Sequence, residues 1–167
     1  IIIDETYPHD GIENSEFTDH ELPNEEDYLF IVKKDFYFEN VRFSSDFNKK
    51  IGAIKIENSG QVSIRNCIFV GFFGDQNGNV IIATSTDISD ENTLLSFENS
   101  YFNNSGSSYP ICTDLINVIY QNITVEFTDP SNIAGGFSIS NFRNLTISDC
   151  HFTNTKSSTG TVLLNPL

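Results

Sequence analysis

The sequence has no methionine, no closely spaced cysteines, no long apolar run and little positive charge, and each shortage narrows what the chain can be. With 9 Lys+Arg against 23 Asp+Glu, the formal balance is -14, and so negative a surface repels phosphate backbones and anionic lipid headgroups. Nucleic-acid binding is therefore disfavoured. Apolar runs such as Val80 to Ala83 are a few residues long, far below the roughly 18 to 20 that a membrane-crossing helix needs, so no insertion by this segment is expected. Cys67, Cys112 and Cys150 are odd in number and far apart, which signals neither a disulfide framework nor a CxxC metal site. The first residue is Ile1, with no basic stretch leading into an apolar one, and this reads as a processed or excised piece of a longer protein.

What is present suits one domain: 167 residues, 38% hydrophobic, with 15 Phe to fill an interior. The dominant signal is a repeat of the form apolar-x-Asn/Asp-x-x-apolar. Its copies start at Phe38, Ile64, Phe97, Tyr120 and Ile147, separated by 26, 33, 23 and 27 residues, a period of about 27. The second and fifth copies align without gaps from Gly52 to Gly71 against Gly135 to Asn154, with six identities. Around each copy apolar and polar residues alternate, as in Ile54-Lys55-Ile56 and Leu145-Thr146-Ile147, the period of a strand with one buried face. No segment carries a sustained helical apolar spacing.

Units this small cannot bury their own apolar face, so they must stack. The sequence thus predicts an all-β, right-handed parallel β-helix of about five to six coils, three short strands per coil and almost no helix. In the clearest coil the strands are Ala53 to Ile56, Val62 to Ile64 and Cys67 to Phe69. The turn before the third strand carries Asn40, Asn66, Asn99, Asn122 and Asp149, expected to form a structural ladder because Asn and Asp tolerate a left-handed backbone. The next residue in each copy, Val41, Cys67, Ser100, Ile123 and Cys150, should point inward, which makes two of the cysteines small core residues.

Residues 1–27 hold ten Asp/Glu, no Lys/Arg and no evident repeat, and are expected to be a flexible leader or an N-terminal cap over the solenoid of 28–167. Thr161 to Leu164 looks like the opening strand of another coil, so the solenoid is expected to be truncated at its C-terminal end.

Gly52-Ala53-Ile54, Gly135-Gly136-Phe137, Phe102-Asn103-Asn104 and Phe152-Thr153-Asn154 resemble the repeats of polymorphic outer-membrane-protein-like surface proteins and adhesins, within the pectate-lyase-like β-helix class. The resemblance, over roughly 28–167, implies an extracellular or cell-surface protein. The same fold class includes polysaccharide lyases and hydrolases, but their Asn-Thr-Asp, Asp-Asp and Gly-His-Gly sets do not occur here. No catalytic or cofactor-binding residue is assigned, and an enzyme is not expected. Asp87, Asp90 and Glu91, with Asp75 nearby, form the best carboxylate group, able at most to hold Ca²⁺ weakly. His151 falls between two inward positions and reads as solvated.

Three sequons begin at Asn103, Asn122 and Asn144; of these Asn103, taken to lie in a loop, is the favoured N-glycosylation site, because Asn122 is committed to the ladder. The leading expectation is a non-enzymatic surface structural or adhesion fragment that offers loops 70–79, 84–93 and 103–114 to an unidentified protein or glycan. A carbohydrate-active or carbohydrate-binding β-helix using Tyr37, Tyr101 and Tyr109 is the alternative, and a fibre component stacking end to end is a further one.

Overall fold

A computed structural model of the chain describes residues 1–18, 28–46, 50–57, 60–72, 80–85, 92–104, 109–115, 117–127, 135–154 and 161–166. Every regular element among them is a strand. The first coil consists of β1 (Ile2–Ile3), β2 (Gly11–Glu13) and β3 (Glu16–Thr18), the second of β4 (Tyr28–Val32), β5 (Phe36–Glu39) and β6 (Arg42–Ser44). The third comprises β7 (Gly52–Glu57), β8 (Gln61–Arg65) and β9 (Ile68–Val70). Then come β10 (Ile81–Thr84) with β11 (Leu94–Asn104), β12 (Ile111–Asp114) with β13 (Asn117–Phe127), and β14 (Phe137–Phe142) with β15 (Asn144–Ser148) and β16 (His151–Thr153). Finally β17 (Val162–Pro166) lies on β14.

All pairings are parallel and join corresponding strands of successive coils, so three sheets run the length of a β-solenoid. The first sheet has the order β1-β4-β7-β10-β12-β14-β17. The second and third are fused, because β11 and β13 each continue through the turn: the first half of β11 pairs with β8 and its second half with β9. Where three short strands per coil are expected, these two coils have one 11-residue strand in place of two. The ladder between them still omits the turn, passing from Glu98↔Gln121 to Ser100↔Ile123.

Residues 1–18 are not without the repeat. Ile12-Glu13-Asn14-Ser15-Glu16-Phe17 is a further copy, whose β2 and β3 sit in register on β5 and β6. It fits the frame in full and is obscured only by the acidic stretch around it. Residues 19–27 lie outside the described part of the chain.

In-register stacking turns the alternating pattern into continuous inward rows. Phe17, Phe43, Phe69 and Phe102 occupy one row of the third sheet, with Phe43–Phe69 and Phe69–Phe102 ring centroids 4.7 and 4.5 Å apart and nearly parallel. Phe38, Ile64, Phe97 and Tyr120 fill the equivalent row of the second sheet, all buried. The first sheet contributes Phe30, Ile54, Ile81, Ile111 and Phe137, also buried. The fully buried Tyr120 hydroxyl donates to Thr113 Oγ1 at 3.2 Å across the interior, which satisfies both polar groups.

Candidate binding face

The five anticipated ladder residues all adopt the left-handed backbone: Asn40 at φ 54°, Asn66 at 52°, Asn99 at 47°, Asn122 at 53° and Asp149 at 54°. Asn14, Asn141 and Asn154 share that conformation and were not singled out from the sequence. Nδ2 of Asn40 donates to Asn14 Oδ1 at 3.2 Å, and Nδ2 of Asn122 to Asn99 Oδ1 at 2.9 Å. The backbone N–H groups of Asn40 and Asn66 donate to the carbonyls of Arg65 and Glu98 one coil on, each at 3.1 Å. These positions are exposed corners that fix the angle between the second and third sheets.

At four of these corners the next residue carries a second device that the repeat did not reveal. Ser15 Oγ, Cys67 Sγ, Ser100 Oγ and Cys150 Sγ each donate to the carbonyl two residues earlier, on Glu13, Arg65, Glu98 and Ser148, at 2.7, 3.2, 2.8 and 3.4 Å. Serine and cysteine interchange here because both supply a short side-chain donor in the space a small residue leaves. Ser100 Oγ also accepts the N–H of Cys67 at 3.0 Å. None of the three cysteines is in a disulfide.

Burial pushes the Cys67 thiol up to about 11 and raises Cys150 and Tyr120 as well. An acid whose folded pKa is raised binds its proton more tightly when folded. Between pH 9 and 11 unfolding therefore releases the Cys67 proton, and stability falls as pH rises. At about 1.4 kcal/mol per pH unit, Cys67 alone contributes a loss of roughly 3 kcal/mol across that window. Urea midpoints at neutral pH and near pH 10 should show this decline, and Cys67→Ser, which keeps the donor, should shrink it.

One of the three sequons sits differently from expectation. Asn103 lies within β11, half-buried, with Nδ2 donating to the Tyr101 hydroxyl at 3.3 Å and Oδ1 enclosed without a partner. It is not a loop residue. Asn144 and Asn122 are exposed, and Asn144 Nδ2 donates to Asn117 Oδ1 at 2.7 Å. Asp75, Asp87, Asp90 and Glu91 lie outside the described residues, as do most of the loops 70–79 and 84–93. His151 is exposed.

The three tyrosines do not converge. Tyr37 stands on the outer face of the second sheet and Tyr101 on that of the third, while Tyr109 precedes β12 with its ring against Gly135. Tyr37 borders a depression, a cleft of about 740 Å³ whose lining includes Gln61, Ser63, Arg65, Ser96, Glu98 and Ile119. It continues beside Glu13 and Glu39 at one end and over Asn144 and Thr146 at the other. The result is a trough along the solenoid axis.

Among the described residues, outward carboxylates are largely tied to neighbours. Glu13 accepts the Tyr37 hydroxyl at 2.7 Å, and Glu126 accepts that of Tyr101 at 2.6 Å. These acceptors raise the pKa of both phenols. Glu98 accepts Ser96 Oγ at 2.5 Å and faces Arg65 at 3.8 Å. Glu57 bridges Lys55 at 2.5 Å and Lys33 at 3.5 Å, and the Lys55 hydrogen bond holds it below the usual carboxylate range. Asp35 Oδ1 accepts the N–H of Gln61 at 2.8 Å, one coil on. No protein-family model, curated protein or solved structure matches the chain.

Proposed function

We propose that this chain is a non-enzymatic, extracellular or cell-surface β-helix, similar in style to polymorphic outer-membrane-protein-like adhesins, that acts as a rigid support for binding faces. The carrying observation is how its outward carboxylates are used. Glu13, Glu16, Glu57, Glu98 and Asp10 each reach a tyrosine, lysine or arginine, most of them on an adjacent coil. A general acid needs a carboxyl kept protonated by its surroundings, whereas Glu57 is biased toward the charged form. Such pairs suit a scaffold whose coils must keep their register more than a reacting centre. Each is worth little alone at an exposed site, about 0–1 kcal/mol, so their effect is on alignment rather than on bulk stability.

The test is surface labelling of intact producing cells with a membrane-impermeant amine reagent. Lys33 and Lys50 are exposed and supply targets. The proposal expects labelling without lysis, and labelling only after lysis would overturn it.

A further inference from the structure

The outward row of the second sheet reads Tyr37, Ser63, Ser96, Ile119 in successive coils. Two small side chains between two large ones make a dip three coil steps long, about 14 Å at parallel-strand spacing. Tyr37 flanks one end in a prearranged position. Gly11 of the preceding coil lies under its ring, where any Cβ would collide, and its hydroxyl is anchored on Glu13 at 2.7 Å. The ring nevertheless remains 38% exposed, a rigid aromatic face turned to solvent.

From this geometry we infer that the trough binds a neutral, hydroxyl-rich glycan chain lying along the solenoid axis, with the sugar's C–H face on Tyr37 and its hydroxyls over Ser63. The inference deepens the binding-scaffold reading, on which it rests, by naming a face and a ligand class. Aromatic platforms bury apolar C–H faces, and a few placed polar groups then fix orientation. Ser63, Gln61 and Arg65 supply donors, while Glu98 and Glu39 supply acceptors, the mixture that hydroxyl groups satisfy in both senses.

Charge selects against other polymers. Asp10, Glu13, Asp35, Glu39 and Glu98 border the trough against a central Arg65, so uronate, sulfated or phosphorylated chains are repelled. A basic peptide fits less well: Arg65 stands mid-trough, and Asp10, Glu13 and Glu98 are already engaged by Lys34, Tyr37 and Arg65.

The experiment is calorimetric titration of the purified chain with neutral glucan, mannan and N-acetylglucosamine oligomers, with oligogalacturonate and an oligolysine as charged comparisons. At least one neutral oligomer should bind, and Tyr37→Ala should weaken it about tenfold. Ser63→Tyr, which fills the dip on an outer face, should abolish binding, and Tyr101→Ala on another face should leave it intact. Urea midpoints of the variants establish that each is folded. No binding of any neutral oligomer, binding indifferent to both trough variants, or preference for oligogalacturonate or oligolysine overturns the inference. Surface labelling of intact cells is independent of these titrations, so a failed glycan site and a failed scaffold reading are distinguishable.

Discussion

Replacing Phe69 by alanine is expected to cost about 3–5 kcal/mol and to lower the melting temperature by roughly 10 °C. Phe69 is 1% exposed and stands between the nearly parallel rings of Phe43 and Phe102, with Phe97 edge-on at 6.0 Å. Removing it opens a cavity and takes away contacts with the coils on both sides. A solenoid has no distant contacts to compensate, since each coil touches only its neighbours. The comparison is Ile68→Ala on the same strand, whose side chain points outward and is 38% exposed. That change should stay within about 0.5 kcal/mol. Urea denaturation of both variants checks the pair, and similar losses from the two would mean that the inward and outward faces of β9 are misassigned.

The second large effect belongs to the corners. Substituting Asn40, Asn66 and Asn99 together by isoleucine forces a β-branched residue into the left-handed region at three consecutive coils. At roughly 1–2 kcal/mol each the loss is roughly 3–6 kcal/mol, a large share of a typical net stability of about 5–15 kcal/mol. The corresponding triple glycine variant meets no Cβ penalty and should retain most of the stability. Both variants remove the Asn40–Asn14 and Asn122–Asn99 side-chain bonds, so their difference isolates the backbone term. Equal midpoints for the two triples would show that the corners do not require positive φ in solution.

The two effects also show why the fold was so legible. Alternation such as Val62-Ser63-Ile64 marks a strand with one buried face, and an Asn recurring at a fixed phase marks a left-handed corner, so local chemistry repeated at intervals specifies a stack. The first coil is hidden only by its acidic surroundings, since Ile12, Asn14 and Phe17 satisfy the frame and Ser15 is the same donor that Cys67 and Ser100 provide. Asn103 shows the limit of local chemistry. Its Phe-Asn-Asn context reads as the start of a turn, yet pairing with Val70 and Glu126 on either side holds it in a strand.

The trough could not be read from the sequence in the same way. Ser63 and Ser96 are 33 residues apart and adjacent only through register, while Ser96 and Ile119 are 23 apart. Coils of unequal length put outward neighbours at irregular separations, and a depression arises from differences in side-chain size between coils that no single repeat displays. Tyr37 was noted as an outward aromatic, but its underlying Gly11 lies in the coil that the sequence did not reveal.

The in-register parallel stack is the claim on which the rest depends, and a directed disulfide tests it most directly. Glu39 and Arg65 are register partners on the outer face of adjacent coils, whereas Glu39 and Glu98 are separated by one further coil. Parallel neighbours lie about 4.8 Å apart, inside the range a disulfide spans, and next-nearest coils lie near 10 Å, outside it. With Cys112 and Cys150 replaced by serine to remove the two half-exposed thiols, Glu39→Cys/Arg65→Cys should close under mild oxidation and Glu39→Cys/Glu98→Cys should stay reduced. Closure of the second pair in preference to the first would contradict the register and the solenoid built on it.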